Sequence, residues 1–350
     1  MREGMDYPLI RVEDLKVYFY LNEGTVHALE DVSLEIARGK TLGVVGESGC
    51  GKSVTSQAIL RMVPEPGKIV QGKITFFRYQ STNQMEEVDL TRLKPDSNAI
   101  CDIRGNEIAK IFQEPMTSLS PVHTIGYQIM EAIMLHQKVD KKEARRLAID
   151  MLKKVGFPQP EQRIDSYPHQ LSGGLRQRTM IAMALSCHPS LLIADEPTTA
   201  LDVTTEAQIL ELIKTLQRDL NMAVMFITHN LGVIAEMADN VMVMYLGRDV
   251  EYAPVDDIFY EPYHPYTWAL LRSIPRIGHK ADEALYTISG SIPDPYNIPK
   301  GCPFHPRCPE FMAGVCDQDR PVPLVEVKPG HSVRCWLYVD REMKDGQAHD

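Results

Sequence analysis

The order of apolar and polar positions along the chain predicts alternating strands and helices. Period-two alternation and short apolar runs indicate strands, and apolar positions spaced three to four residues apart indicate helices. Strands are predicted at residues 9–20, 25–36, 41–45, 73–79, 108–112, 191–194 and 223–228, and helices at about 52–62, 124–136, 140–155, 175–187 and 204–220. This alternation predicts an α/β fold with a largely parallel sheet and helices on both faces.

The texture of the chain changes near residue 261. Proline becomes frequent there, strand patterning fades, and four of the seven cysteines fall in the last 49 residues. We therefore expect one large domain over residues 1–260 and a small loop-rich module over residues 261–350.

Composition narrows the class of protein. The net charge of −10 argues against binding to a nucleic-acid backbone, which normally requires a basic face. No apolar run approaches the roughly 18–20 residues of a membrane-spanning helix, and no apolar segment follows the N-terminal residues as in a secretory signal. We expect a cytosolic chain whose membrane role, if it has one, depends on a partner.

A glycine-rich loop carries the first chemical signal. Residues 46–53 place two glycines around four residues and end in Lys52-Ser53, between a predicted strand and a predicted helix. This is the P-loop pattern, in which backbone N–H groups and the helix N-terminus cradle phosphates while the lysine reaches the β/γ oxygens and the serine can bind Mg²⁺. The residues expected to contact ATP are Gly46, Ser48, Gly49, Cys50, Gly51, Lys52, Ser53 and Val54.

Two further patterns follow in a fixed order. The stretch Leu171-Ser172-Gly173-Gly174 precedes a predicted helix, and an apolar run ending in Asp195-Glu196 comes shortly afterwards. With the P-loop, these patterns resemble the ATP-binding-cassette ATPases over about the first 250 residues. The resemblance implies a P-loop core with an antiparallel β subdomain, a helical subdomain near residues 114–178, and a dimer that closes on two ATP molecules.

The resemblance also implies a role for individual residues. Asp195 would hold Mg²⁺ through water, and Glu196 would polarise the attacking water. Gln113, in the Q-loop, would contact the Mg²⁺ and that water, and His229 would reach the γ-phosphate as the switch residue. An aromatic side chain that stacks on adenine is best matched by Phe19. The residues implied to contact ATP bound mainly by the other subunit are Ser172, Gly173, Gly174 and Asp202. Leu175 departs from the glutamine that the family often has after these glycines.

Three segments resemble the ATP-binding subunits of dipeptide and oligopeptide importers: residues 116–121, 264–271 and 301–308. This resemblance implies a subunit at the cytoplasmic face of the membrane, bound to two permease subunits and paired with a second, paralogous ATP-binding subunit. An extracytoplasmic binding protein would act indirectly, and no nucleic acid is expected. The cargo stays open among dipeptides, longer peptides, nickel chelates and short sugars.

The tail cysteines indicate a metal site. Cys302, Cys308, Cys316 and Cys335 are separated by five, seven and eighteen residues, wider than the tight pairs usual for structural zinc. Four thiolates at such spacing fit a [4Fe–4S] cluster, and the resemblance points the same way. Zinc remains the alternative, with His305 or His331 as possible substitute ligands. Either metal would act as a staple for a tail with few apolar residues.

Two other classes of function compete with an importer ATPase. One is a soluble cassette protein of translation or DNA repair. The acidic composition, the single cassette and the short gap between the P-loop and the signature, Leu171-Ser172-Gly173-Gly174, disfavour it. The other is a P-loop small-molecule kinase, which would leave Leu171–Gly174 unexplained.

Overall fold

The structure, a computed structural model, describes residues 7–79, 85–113, 118–199, 201–274 and 287–339. Its strands are β1 (Ile10–Leu21), β2 (Gly24–Ile36), β3 (Thr41–Val45), β4 (Gly67–Tyr79), β5 (Met85–Asp89), β6 (Ile108–Ile111), β7 (Leu191–Asp195), β8 (Ala223–Ile227), β9 (Asn240–Tyr245), β10 (Arg248–Pro254), β11 (Val325–Lys328) and β12 (His331–Val333). Its α-helices are α1 (Lys52–Ile59), α2 (Asn98–Ile103), α3 (Ile125–Gln137), α4 (Lys141–Lys154), α5 (Pro160–Arg163), α6 (Gly173–Leu185), α7 (Val203–Leu220), α8 (Leu231–Met237), α9 (Val255–Tyr260) and α10 (Pro265–Arg272).

The chain divides into two compact units, each built from segments that are distant in sequence. Unit one comprises Met1–Ile10, Ile36–Thr41 and Thr75–Ile227. Unit two comprises Arg11–Glu35, Leu42–Ile74 and Thr228–Asp350.

Unit one contains parallel strands in the order β8-β7-β6. Every residue of β7 and β8 is buried, which is why these strands read as unbroken apolar runs in the sequence. The outer part of β4 pairs with β5 in antiparallel register. Asp195 is the last residue of β7, so the parallel strands deliver its carboxylate to their C-terminal edge.

The helices of unit one begin and end at local signals. The Asp140 carboxylate accepts a hydrogen bond from the Glu143 backbone N–H at 2.8 Å and caps α4, while Lys153 and Lys154 complement the helix dipole at its other end. The Glu143 carboxylate pairs with Arg146. Asp202 caps α7 in the same way as Asp140 caps α4.

Unit two is built around the strand order β11-β12-β10-β9-β3. Strand β3 pairs with β9 in parallel, and β9, β10, β12 and β11 pair with their neighbours in antiparallel register. A second sheet places β1 between β2 and β4. The tail strands β11 and β12 thus extend the sheet that carries the glycine-rich loop, in a region where the sequence pattern predicted no strand.

The other predicted elements form close to their expected bounds. Helix α1 ends at Ile59, earlier than the predicted residue 62, and β4 starts at Gly67, earlier than residue 73. Arg61 adopts a positive φ of 54° just past α1, a backbone conformation that cannot continue the helix. Within the described part of the chain, every helix is too short or too polar to span a lipid bilayer.

Candidate functional site

Three glycines of the glycine-rich loop adopt backbone conformations that other residues rarely take. Gly46, Gly49 and Gly51 have positive φ values of 150°, 80° and 103°. A Cβ atom on Gly46 would lie 2.2 Å from the Met244 carbonyl oxygen, and one on Gly51 would lie 2.8 Å from the Ala28 carbonyl oxygen. The loop leads from β3 directly into α1, so it has the strand–loop–helix arrangement that binds phosphate anions.

Lys52 is held over this loop. Its side chain is buried, and its ammonium group donates hydrogen bonds to the Gly46 carbonyl at 2.7 Å and the Glu47 carbonyl at 3.1 Å. It also approaches the Cys50 sulfur at 3.7 Å. Burial raises the pKa of the Cys50 thiol, so this cysteine is a packed neutral side chain and not a nucleophile.

His229 lies in unit two with the loop. Thr228 donates its backbone N–H to the Val44 carbonyl at 3.3 Å, which fixes the segment after β8 beside β3. His229 itself is exposed, and Asn230 caps α8 by accepting from the Gly232 N–H. The switch position therefore sits next to the strand that leads into the loop.

The predicted adenine-stacking residue Phe19 is half-buried and packs against Gly67, where an added Cβ would lie 2.6 Å from its ring. Its neighbours differ from it. Tyr18 stacks on His27 at 4.0 Å and donates its hydroxyl hydrogen bond to Glu30, while Tyr20 is 48% exposed. Phe19 as the stacking residue stays a prediction.

Glu196 is the centre of an acidic cluster in unit one. Its φ is 48°, an uncommon conformation for a side chain of this type. The Ile227 carbonyl holds its N–H at 2.8 Å. Its carboxylate accepts from the Gln113 side-chain amide at 2.8 Å and from the Thr199 hydroxyl at 3.1 Å. The structure thus brings together the predicted Q-loop residue and the predicted catalytic carboxylate.

Asp195 is deeply buried and forms an ion pair with Lys110, with 2.9 Å between Nζ and Oδ2. Both side chains are only 6% exposed. A buried carboxylate needs such a partner to offset its lost hydration. The sequence reasoning missed Lys110, although a lysine inside an otherwise apolar strand is a signal that could have revealed it.

The predicted signature residues begin helix α6. Ser172 is the N-cap residue and makes no side-chain capping bond, and Ser172 and Gly173 are exposed. The buried Gln177 amide donates to the Pro197 carbonyl, which ties α6 to the segment directly after Glu196. The start of α6 therefore presents backbone N–H groups and a hydroxyl to the surface of unit one.

Asp202 is exposed and caps α7. It accepts from the Thr205 N–H at 2.9 Å and the Thr205 hydroxyl at 2.8 Å, and these bonds lower the pKa of its carboxyl group. Its predicted contact with a partner's ATP stays a prediction. The segment at residues 116–121 lies partly outside the described residues, since 114–117 are not described.

The four tail cysteines are free thiols. Burial, with a smaller contribution from the neighbouring thiols, raises the pKa of Cys308 to about 11 and that of Cys335 to about 12. Backbone N–H groups hydrogen-bond the sulfurs of Cys302, Cys308 and Cys335. Among the described residues, however, no three His, Cys, Asp or Glu side chains are arranged to hold a metal ion. The predicted [4Fe–4S] cluster and its zinc alternative are therefore not supported by the side-chain positions.

The two candidate substitute ligands are engaged elsewhere. His331 is fully buried, with its Nε2 at 2.7 Å from the Glu251 carboxylate. His305 places Nδ1 at 2.9 Å from the Cys302 carbonyl and stacks on Phe311. Thiolates are the ligand type that a [4Fe–4S] cluster requires.

The sequence reasoning also missed a contact between the tail and the glycine-rich loop. Arg307 pairs with Glu47, the second residue of the loop, at 2.8 Å. The Glu47 backbone N–H donates to the Tyr266 hydroxyl at 2.9 Å. No local sequence signal connects positions 260 residues apart.

Comparison with known proteins gives matches over nearly the whole chain. The family described as ABC transporter matches residues 29–199, and the family described as oligopeptide/dipeptide transporter, C-terminal region, matches residues 250–316. The oligopeptide transport ATP-binding protein AppD of Bacillus subtilis is 51% identical, covering 94% of this chain and 97% of that protein. The dipeptide transport ATP-binding protein DppD of the same organism is 48% identical, covering 95% of this chain and 96% of that protein.

Solved structures match at the level of the cassette. A dimeric ATP-binding cassette in a post-hydrolysis state with ADP and phosphate aligns with a TM-score of 0.59 and 25% identity, covering 70% of this chain and 98% of that one. The cbiO1 protein of Clostridium perfringens, part of an ABC transporter complex, aligns with a TM-score of 0.59 and 27% identity, covering 73% of this chain and 91% of that one.

Proposed function

Because the chain belongs to the ABC transporter ATP-binding family, whose members hydrolyse ATP to drive transport, we propose that it powers the import of dipeptides or oligopeptides. The observation that carries the hydrolytic role is the Glu196 carboxylate, held by Gln113 and Thr199 directly after the buried Asp195. The peptide class rests on the C-terminal family match and on the oligopeptide and dipeptide transport for which the relatives are named.

Each residue has a role that phosphoryl transfer requires. Lys52 and the N-terminus of α1 bind the β/γ phosphates, and Ser53 and Asp195 are the groups suited to hold Mg²⁺, which neutralises charge on the phosphates when bound. Glu196 accepts a hydrogen bond from the attacking water and polarises it, while the Gln113 amide orients that carboxylate. His229 senses the γ-phosphate. Hydrolysis depends mainly on this positioning.

The remaining contacts are assigned to a dimer. Ser172, Gly173, Gly174 and Asp202 are exposed or near the surface of unit one, as residues must be when they contact ATP held by another subunit. Phe19 is the proposed adenine platform.

The complex that we propose contains two membrane permeases, a second ATP-binding subunit and, indirectly, an extracytoplasmic binding protein, with this chain at the cytoplasmic face of the membrane. The division at residues 260 and 261 and the helical subdomain near 114–178 are part of the same proposal. Support for docking through the helical subdomain comes from large apolar side chains on and just before α3: Val122 is 73% exposed and Leu135 is 72% exposed. A role in translation or DNA repair is not favoured, because the C-terminal family match leaves it without support.

Replacing Glu196 tests the hydrolytic role. The Glu196→Gln variant keeps the shape of the side chain but cannot polarise water as a carboxylate does, so steady-state ATP hydrolysis should fall at least ~100-fold while ATP binding persists. The matched control is Glu211→Gln, which changes a 68% exposed carboxylate on α7. Retained hydrolysis in the Glu196 variant, measured by phosphate release, would contradict the assignment.

We also propose that Cys302, Cys308, Cys316 and Cys335 hold a [4Fe–4S] cluster, with zinc as the alternative. The spacing of the four cysteines along the chain and the backbone N–H donors to three of the sulfurs support this proposal, since such donors stabilise metal-bound thiolates. Anaerobic purification followed by iron, sulfide and zinc analysis tests it. About four irons and four sulfides per chain would support the cluster, and one zinc per chain would support the alternative. Protein that contains neither iron nor zinc would contradict both.

A further inference from the structure

The tail segment between Cys302 and Cys308 reaches the phosphate-binding loop through Arg307. The guanidinium group makes two hydrogen bonds to the Glu47 carboxylate, from Nη1 to Oε2 at 2.8 Å and from Nη2 to Oε1 at 3.0 Å. The Arg307 side chain is only 4% exposed. Two parallel charge-assisted bonds of this kind fix orientation as well as charge.

Other contacts hold Arg307 in place. Its Nη1 also donates to the Tyr245 hydroxyl at 3.2 Å, and its Nε donates to the Ser289 carbonyl at 3.2 Å. Phe304, three residues earlier in the tail, is buried and packs its ring against Tyr245 at 5.2 Å. The guanidinium is therefore pre-oriented before it meets the loop.

Glu47 is held from two sides. Arg307 binds its carboxylate, and the Tyr266 hydroxyl accepts its backbone N–H at 2.9 Å. Tyr266 is fully buried and packs on both Tyr245 and Phe304. Tyr266, which binds the Glu47 backbone, and Arg307, which binds the Glu47 carboxylate, are thus supported by the same aromatic cluster.

The charge of Glu47 is unfavourable for this loop by itself. The loop must receive the negative charge of ATP phosphates, and an acidic side chain at its second position repels that charge. Arg307 neutralises the carboxylate and keeps it directed at the tail. Of the oxygen atoms of Glu47, Lys52 contacts the backbone carbonyl and not the carboxylate. In the described contacts the Glu47 carboxylate therefore depends on Arg307 for compensation of its charge.

We propose that Arg307 is a positioning residue for ATP binding: it neutralises the Glu47 carboxylate and keeps it directed at the tail, so that the C-terminal module sets the ATP affinity of the cassette. This inference rests on the proposed ATPase function. It assigns to the tail a direct part in nucleotide binding, through a contact that involves no metal.

The first test compares the two partners of the ion pair. ATP affinity of the full chain is measured with a fluorescent ATP analogue and Mg²⁺. Arg307→Met leaves Glu47 uncompensated and should raise the dissociation constant roughly fivefold or more, whereas Glu47→Gln should leave it unchanged or lower it. If the ion pair had only a structural role, either substitution would break it and both variants would bind ATP more weakly. The matched control is Lys300→Met, which breaks an exposed tail ion pair with Asp319.

The second test is rescue. Adding Glu47→Gln to Arg307→Met removes the uncompensated charge and should return the dissociation constant to within about twofold of wild type. A double variant as weak as Arg307→Met, or a fivefold loss in Glu47→Gln alone, would overturn the inference.

Folding is checked by thermal unfolding of every variant. If Arg307→Met does not fold, Glu47→Gln, which has nearly the same shape as the native side chain, still decides the sign of the effect on ATP affinity. If wild type binds ATP and Arg307→Met binds it equally well, only this inference fails. If wild type binds no ATP, the proposed function fails as well.

Discussion

At the scale of single residues, steric demands and charge decide what the phosphate loop tolerates. Gly46 and Gly49 both need positive φ, but their surroundings differ. A Cβ on Gly46 would collide with the Met244 carbonyl and the Cys50 sulfur, whereas a Cβ on Gly49 would meet nothing within 4 Å. Comparing substitutions at these two glycines therefore separates the cost of backbone strain from the cost of steric overlap with neighbouring atoms.

We predict that Gly46→Ala destabilises the chain by about 3–5 kcal/mol and that Gly49→Ala costs only about 1 kcal/mol, since the second adds backbone strain without overlap. Urea unfolding of both full-length variants measures the difference, and Gly49→Ala serves as the control for strain. Equal losses in the two variants would show that the Met244 carbonyl does not limit the loop.

At the scale of elements, the start of helix α10 contains a buried histidine. The His264 Nδ1 accepts the Tyr266 backbone N–H at 3.0 Å, and the backbone N–H of His264 donates to the Glu251 carboxylate at 3.0 Å. Burial lowers the pKa of His264 to about 4, although the nearby Glu251 charge opposes this shift. The ring is therefore neutral in the folded chain over the range in which it becomes protonated in the unfolded chain.

This shift makes the fold sensitive to acid. The folded-state pKa lies below the unfolded value of about 6.5, so stability present above pH 6.5 is lost as the pH falls towards 4. Between pH 7 and pH 5 we predict a loss of about 2 kcal/mol from this residue. In His264→Asn the amide oxygen can keep the helix cap without titrating, so its free energy of unfolding should fall by about 2 kcal/mol less over the same range. Parallel pH profiles for the two proteins would contradict the assignment.

Sequence patterns predicted the strands that are buried along their whole length. They missed the strands that are ordered by pairing with other strands. Strands β3, β7 and β8 are buried along their whole length and so read directly as apolar runs. The tail strands β11 and β12 are four and three residues long and are ordered by pairing with each other and with β10. The P-loop, the acid pair and the signature were recognisable because their chemistry is written in consecutive residues. The ion pairs of Lys110 with Asp195 and of Arg307 with Glu47 were not recognisable, because a contact between residues distant in sequence produces no periodic pattern in the chain.

At the scale of the whole molecule, the proposal requires ATP to be shared between two cassettes. In unit one, the exposed start of α6 at Ser172 and Gly173 has no assigned task within its own chain. In unit two, Lys52 is held over the phosphate loop. Suppose that a dimer places the signature of one chain on the ATP of the other. A signature defect on one chain and a P-loop defect on the other then fall in the same ATP site, and the second site of that dimer stays intact.

We therefore predict recovery of activity on mixing two inactive variants. Lys52→Ala removes the phosphate-binding charge, and Ser172→Arg obstructs the start of α6, so each variant alone should hydrolyse almost no ATP. When this chain is the only protein in solution, each variant alone forms symmetric dimers. In an equal mixture of the two variants, half of the dimers contain one chain of each variant. Each mixed dimer has one intact site out of two, so phosphate release should return to about a quarter of the wild-type rate. The control is each variant mixed with a separate preparation of itself, which should stay inactive. A mixture as inactive as its components, under conditions in which wild type alone hydrolyses ATP, would show that the signature does not act on a partner's nucleotide.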